Sequence, residues 1–340
     1  MKTISVVNQK GGCGKTVTAV NLAAGLSKAG HKVLLIDIDP QAHASFALRQ
    51  QKIPTITDVL ELACQGKPFP AEDAISCVQD NFYFISSSLG LASLENSLAA
   101  RSDKLDILKN FLGGIAGSYD YCFLDCPPNL GLITLNALSA SDYSLIPLNT
   151  CSFSLQGLQL LKNIMLMLKE YKGAAPAPFY VLNQVDTRSN YARDFVQMAR
   201  RRFGPMLLRS SVRLNTSLRE AVAAGKHIFD YAPLSRGALD FSQLADEVES
   251  LTMRTGWTPL FLKNHDISEA YVVGDFNNWQ KSDNYRLVKT GDDIWSINLP
   301  LAKGEYRYKF LSGDNWFADP LCVLQEADPF GGKHSVLKIE

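Results

Sequence analysis

The apolar positions of this chain follow one rhythm for about three quarters of its length and another thereafter. Residues 3–7, 32–37, 82–85, 119–125, 142–148 and 179–183 are short runs of aliphatic, β-branched and aromatic side chains with little polar alternation. That is the pattern of strands buried on both faces. Residues 16–29, 104–112 and 155–169 carry apolar side chains at helical spacing, and a short helix begins at Thr57-Asp58-Val59-Leu60. Strands alternating with helices predict an α/β fold, a doubly wound and mostly parallel sheet flanked by helices. Past residue 251 the helices stop. Short alternating runs take over at 269–273, 285–289, 295–299, 306–311 and 335–339, with turn residues such as Asn277-Asn278, Gly304 and Gly313-Asp314-Asn315 between them. This half predicts a small all-β sandwich of immunoglobulin-like type. The expected domains are residues 1–251 and 256–340.

Between the first strand and the first helix lies Gln9-Lys10-Gly11-Gly12-Cys13-Gly14-Lys15-Thr16-Val17-Thr18. In a strand–glycine loop–helix setting, backbone N–H groups curl round anionic oxygens and the helix N-terminus adds its positive dipole end. Gly11, Gly12, Cys13 and Gly14 would form the cradle, which runs through Thr16 and Val17 into the helix. Lys15 would reach the β- and γ-phosphates of ATP, and the Thr16 hydroxyl would hold Mg²⁺. Two later strands end in acids, Asp37-Ile38-Asp39-Pro40-Gln41 and Asp125-Cys126-Pro127-Pro128, at the strand ends where α/β sheets bind ligands. Asp125 would take a Mg²⁺-coordinated water. The first domain therefore reads as a P-loop ATPase.

Gln9 stands where the common G-x-x-x-x-G-K-[ST] pattern has its first glycine, and Lys10 precedes the glycine pair. This Lys-Gly-Gly-x-Gly-Lys-Thr form resembles the deviant phosphate loop of the ParA/MinD family of partition and positioning ATPases. The resemblance continues through Asp37-Ile38-Asp39-Pro40-Gln41, Asp125-Cys126-Pro127-Pro128 and Ser235-Arg236-Gly237-Ala238, to about residue 250. It implies a homodimer closed by ATP, with Lys10 reaching the partner's nucleotide. Asp39 would position or activate the attacking water, Asp37 would lie near the Mg²⁺ shell, and Asn183 would contact the base. It also implies dimers that bind DNA without sequence preference and a partner protein that stimulates hydrolysis. Arg188 matches one DNA-contacting arginine of the family, but the second such position is Ser217 here. Arg200, Arg201, Arg202, Arg209, Arg213 and Arg219 either supply phosphate contacts in its place or form a solvated helix face.

In the second domain, Val273-Gly274-Asp275-Phe276-Asn277-Asn278-Trp279, Gly304-Glu305-Tyr306-Arg307-Tyr308-Lys309-Phe310 and Asn315-Trp316 closely resemble family 48 carbohydrate-binding modules. The glycogen-binding domain of the AMP-activated protein kinase β subunit is one of these. Indoles offer apolar platforms to the flat C–H faces of an α-glucan, and a lysine hydrogen-bonds its hydroxyls. The resemblance implies Trp279 and Trp316 as platforms and Lys309 as the hydroxyl contact. It also implies a sugar-clasping loop, Phe330 to Ser335, with His334 where an asparagine usually binds. Trp257 and Trp295 read as core.

Composition narrows the picture only a little. Lys+Arg and Asp+Glu are both 34, so net charge names no polyanionic partner. The seven cysteines form no C-x-x-C pair, and an odd count without a signal peptide implies the reducing cytoplasm. No stretch approaches the roughly 20 apolar residues of a membrane span. The tail reads as a strand rather than an amphipathic membrane helix, which disfavours a MinD-like membrane switch. The expected protein is a cytoplasmic, ATP-dependent dimeric switch, nucleoid-associated where it binds DNA, whose β-module holds glycogen or another glucan-bearing cargo. The alternatives are a docking or oligosaccharide-sensing module that tunes the ATPase, and a partition protein with no glucan role.

Overall fold

A computed structural model describes residues 1–67, 70–150, 156–253, 257–289, 293–329 and 332–339. Leu155, at the expected start of a helix, and Phe330 and Gly331 of the sugar-clasping loop lie outside the described residues. Strands β1 (Lys2–Val6), β2 (Val33–Asp37), β3 (Ile75–Gln79), β4 (Phe82–Ile85), β5 (Tyr121–Asp125), β6 (Tyr143–Asn149), β7 (Ala177–Val185) and β8 (Leu207–Arg213) form one sheet. Their order is β3-β4-β2-β5-β1-β6-β7-β8, parallel throughout except for the β3–β4 edge. Strands β2 and β5 are buried at every residue, because helices cover both faces of the sheet. The order reverses around β1, so the loops after β1, β2 and β5 converge at one carboxyl-end crevice.

Strand β8 is an outer edge, and the helix Arg236–Met253 blunts it. Glu247 accepts the Arg209 and Ser210 N–H groups at 2.8 Å each, and Asp240 accepts the Arg213 N–H at 2.9 Å. Unpaired edge donors that would otherwise recruit another chain are thereby satisfied.

The remaining strands are β9 (Trp257–Lys263), β10 (Tyr271–Gly274), β11 (Val288–Lys289), β12 (Ile294–Pro300), β13 (Gly304–Ser312), β14 (Asn315–Phe317), β15 (Gln325–Ala327) and β16 (Lys333–Ile339). One antiparallel sheet runs β10-β13-β16-β15 with β14 also on β13, and the other runs β11-β12-β9. Leu260, Leu262, Val272, Trp295, Ile297, Tyr308 and Phe310 fill the space between them. The strand expected at 285–289 shrinks to β11, because Asp283–Tyr285 winds into a 3₁₀ turn.

The back of the three-stranded sheet is not solvated. Phe261 and Ile294 belong to the same apolar cluster as Tyr180, Phe203, Met206 and Leu207 of the large domain. Trp257 meets Phe179 edge-on with ring centroids 5.5 Å apart, and its Nε1 donates to the Leu251 carbonyl at 2.9 Å. The Asn298 amide donates to the Pro178 carbonyl at 2.8 Å, and the Ser296 hydroxyl points at the Met206 sulfur at 3.8 Å. The module is thus welded to the amino-terminal ends of β7 and β8.

Candidate nucleotide and glucan sites

After β1 the chain turns through residues 8–14 into the helix Lys15–Lys28. The turn needs left-handed backbone at Gly12 (φ 72°) and Gly14 (φ 89°), and a Cβ on Gly14 would come 2.2 Å from Asn183 Nδ2. Only glycine fits there. Asn8 anchors one side of the loop: its amide donates to the Pro147 carbonyl at 2.7 Å, and its Oδ1 accepts the Lys10 N–H at 3.0 Å. Asn183 anchors the other side, donating to the Cys13 carbonyl at 2.9 Å. Gly11 and Gly12 are exposed, while Thr16 and Val17 are half-buried in the first helical turn. Burial raises the pKa of the Cys13 thiol, so this cysteine packs rather than reacts.

Both lysines of the loop are held by protein oxygens. The buried Lys15 ammonium donates to the Lys10 carbonyl at 3.2 Å, and the Lys10 ammonium donates to Asn149 Oδ1 at 3.1 Å. Asn183, expected at the base, is 2% exposed, and its Oδ1 accepts the Gln184 N–H at 2.9 Å. In this conformation its amide is engaged by protein at both ends and supports the loop.

Strands β2 and β5 place Asp37 opposite Asp125 in register. Asp37 Oδ1 accepts the Asp39 N–H at 3.1 Å, and Oδ2 accepts both the backbone N–H and the hydroxyl of Ser45 at 2.8 Å. Burial still pushes the Asp37 carboxyl up to about 6, with nearby Asp39 adding to the effect. Asp125 is fully buried, and neither carboxylate oxygen has a hydrogen-bond partner. Burial, followed by the charge on Asp37, drives its pKa well above the usual carboxylate range. The Thr16 hydroxyl lies close enough to oppose that rise without completing a hydrogen bond, and Lys15 opposes it too. Asp39 Oδ1 accepts the Gln41 N–H at 2.9 Å, and its Oδ2 lies 3.7 Å from His43 Nδ1.

An orphaned buried carboxylate beside a helix-start hydroxyl fits a divalent cation or its water shell. Among the described residues, no group of three or more His, Cys, Asp or Glu is set to cage a metal. Thr16, waters on the acids and the phosphates would hold Mg²⁺ here, an arrangement this ion favours. Bound there, it neutralises charge on the β- and γ-oxygens.

The carboxyl ends of β7 and β8 open on a cleft of about 430 Å³ lined by Arg188, Arg213, Arg219 and Arg236. Arg188 is 84% exposed and forks onto Asp186, both bonds 2.9 Å. Arg213 is held by the buried Asp240. Ser217 lies in the first turn of the helix Thr216–Ala224, its N–H donating to Asn215.

At the other end of the molecule, strand register collects the glucan candidates on one face. Val273 pairs with Lys309, Leu311 with Trp316, and Arg307 with Val336, so Lys309, Trp316 and His334 all point away from the sandwich core. Trp279 packs on Tyr271, Val273 and Leu311 of that face, and its ring centroid is 6.4 Å from that of His334. Trp316 is 47% exposed and Trp279 half-buried. Trp279 follows Asn278 into left-handed backbone (φ 60° and 53°), which asparagine tolerates but a bulky indole rarely adopts. The strain is held by the Trp279 N–H on the Gly274 carbonyl at 2.9 Å and its Nε1 on Asp275 at 3.0 Å. Lys309 is ion-paired with Asp328. His334 is nearly buried, with Nε2 3.3 Å from Glu326. Of the other two tryptophans, Trp295 is core and Trp257 sits half-buried in the seam.

Sequence reasoning missed the supports: Asn8 and Asn149 behind the lysines, Ser45 behind Asp37, and Asp275, Glu326 and Asp328 behind the glucan face. Only Asp275 and Asn8 sat inside or beside a motif.

Residues 1–174 match the family described as an AAA domain, and residues 260–340 match the glycogen recognition site of AMP-activated protein kinase. Among curated relatives, the sporulation initiation inhibitor protein Soj of Bacillus subtilis (strain 168) is 35% identical over 252 residues, spanning 73% of this chain and 98% of its own. Among solved structures, cobyrinic acid a,c-diamide synthase from Mycobacterium smegmatis with bound ATP analog and magnesium superposes with a TM-score of 0.63 at 25% identity. That alignment covers 73% of this chain and 94% of the synthase. The septum site-determining protein MinD from Pyrococcus horikoshii OT3, complexed with Mg-ADP, gives a TM-score of 0.59 at 28% identity, over 74% and 97% of the two chains. This chain, with its deviant phosphate loop, its strand-end acids and its eight-stranded sheet, belongs to the Soj/ParA family of P-loop ATPases, works with ATP and Mg²⁺, and carries a glycogen-recognition module.

Proposed function

We propose that this protein is a cytoplasmic, ATP-dependent dimeric switch that holds an α-glucan such as glycogen and positions or segregates the body that bears it. The carrying observation is one packed chain that holds both a nucleotide loop over an orphaned Asp125 carboxylate and an outward face with strained, braced Trp279. In this reading Lys15 swings from the Lys10 carbonyl to the transferred phosphoryl group, and Lys10 leaves Asn149 for the partner's nucleotide. Asp39 orients the attacking water, Asp37 and Asp125 hold waters on Mg²⁺, and Asn183 fixes the loop beside the base. Trp279 and Trp316 stack on glucose rings, Lys309 bonds their hydroxyls, and His334, edge-on beside Trp279, contributes to the same sugar-binding face. Arg188 and the other arginines of its cleft would contact DNA phosphates, making any DNA binding sequence-indifferent and salt-sensitive. A partner protein would set the hydrolysis rate.

The test is co-sedimentation of the full chain with glycogen, alongside sedimentation velocity with ADP or a non-hydrolysed ATP analogue. Pelleting with glycogen and a shift to dimer with the analogue are expected. If the protein stays in the supernatant, the glucan reading is lost; if it stays monomeric, the switch reading is lost.

A further inference from the structure

The nucleotide loop and the glucan face have a fixed mutual geometry. Strand β7 connects them. Near its start, Pro178 accepts the Asn298 amide and Phe179 meets Trp257; near its end, Asn183 donates to Cys13 in the loop. Five residues of strand separate the two contacts, about 16 Å at ~3.3 Å per residue. Beyond the seam the module is layered. Phe261, Ile294, Ser296 and Asn298 of the three-stranded sheet face the ATPase, while Leu260, Leu262, Trp295 and Ile297 face the sandwich core. The five-stranded sheet closes that core with Val272, Tyr308 and Phe310 and turns Trp279, Lys309, Trp316 and His334 outward. The glucan face is therefore turned away from the sandwich core and the seam, and the seam lies at the opposite end of β7 from the nucleotide loop. The seam is apolar and hydrogen-bonded, which holds the module against the ATPase.

We infer that the ATP-closed pair bridges two separate glucan bodies instead of gripping one. The inference rests on the dimer and the glucan binding proposed above. Two protomers meeting at their nucleotide loops would carry glucan faces on opposite poles. Each face would be separated from the dimer contact by the length of β7 and by its own sandwich, and the two would point away from each other. When geometry forbids simultaneous engagement of one target, effective concentration for the second contact falls to near zero, and avidity on a single particle is lost. The second face stays available to another particle. ATP then acts as a cross-linking signal, and hydrolysis as its release.

The experiment is dynamic light scattering of glycogen with the full chain, Mg²⁺ and either ADP or a non-hydrolysed ATP analogue, run beside co-sedimentation and sedimentation velocity. With the analogue, mean particle radius should at least double at intermediate protein-to-glycogen ratios. It should fall back at high protein, when every chain end is capped, and on addition of maltoheptaose. Lys10→Ala should pellet with glycogen yet leave the radius at the ADP value. A protein that dimerises and pellets but leaves the radius unchanged at all ratios overturns bridging while the proposed function stands. Pelleting without an analogue-dependent dimer overturns bridging and the switch together. No pelleting at all removes the glucan reading, and bridging with it.

Discussion

The nucleotide site and the glucan face differ in what their polar groups do without a ligand. At the nucleotide site, Asp125 lies fully buried with both oxygens unpartnered, and Asp37 sits opposite it with its acidity suppressed by burial. Lys15 makes do with a loop carbonyl. At the glucan face three of the four candidates already have a protein partner: Lys309 has Asp328, His334 has Glu326 and the Trp279 indole has Asp275. A ligand at the first site satisfies buried oxygens that have no partner, whereas a ligand at the second exchanges one set of partners for another. Tight, metal-dependent binding is expected at the former and weak, readily reversed binding at the latter.

The contrast is broken most severely at Lys15. Lys15→Ala removes the cation proposed to reach the transferred phosphoryl group, and ATP hydrolysis should drop by about 10²–10³-fold, as for loss of a preorganised charge-stabilising donor. A steady-state phosphate-release assay decides it, and a loss under tenfold would place the essential cation elsewhere.

Next comes pH. Asp37 has a folded-state pKa of about 6 against an ordinary 3.8. Its proton is held more tightly in the folded chain, so this group stabilises the nucleotide-free protein below pH ~4. That contribution is lost as pH rises from ~4 to ~6, a swing of up to about 3 kcal/mol. Asp37→Asn removes the swing. Asn cannot accept all the bonds that Asp37 takes from Asp39 and Ser45, so the sign of the offset is set by both effects. In the absence of nucleotide, the wild type should still lose melting temperature relative to the variant as pH rises from about 4 to about 7. Thermal denaturation across that range checks it, and a pH-independent difference would mean the burial strain at Asp37 is absent.

The smallest effects are expected at the glucan face. One stacking platform is worth about 1 kcal/mol, so Trp316→Ala should weaken maltoheptaose binding about fivefold by calorimetry. Asp328→Asn, which frees Lys309, should tighten it by less than about threefold, since one charge-assisted bond replaces another. A larger gain would show that the Lys309–Asp328 pair restrains binding more than partner exchange predicts.

Legibility followed locality. The phosphate loop could be read because strand, glycines and helix are contiguous, and β2 and β5 announced themselves as apolar runs ending in Asp37 and Asp125. Strands β3 and β8 stayed hidden as edges: β3 is half-buried or exposed at every residue, and β8 carries Arg209, Ser210 and Ser211. Strand β9 was missed for a different reason. Its Leu260 and Leu262 face the sandwich while Phe261 faces the ATPase, so no polar alternation marks it, and Pro259 argues against a strand. A buried run beside a tryptophan at the domain boundary was the available signal. The supports Asn149 and Asp328 carry no motif, and only the folded register reveals them.

The seam at Phe261, Trp257 and Asn298 also governs how the chain comes apart. Two domains on a slack linker would melt separately, each with its own transition. Here the apolar floor of the ATPase, Phe203 and Met206 among it, is roofed by the module, so neither part presents a finished surface alone. Unfolding should therefore run as one cooperative transition. A protease given the native chain should leave it whole, and a chain cut after Met253 should expose that floor and aggregate.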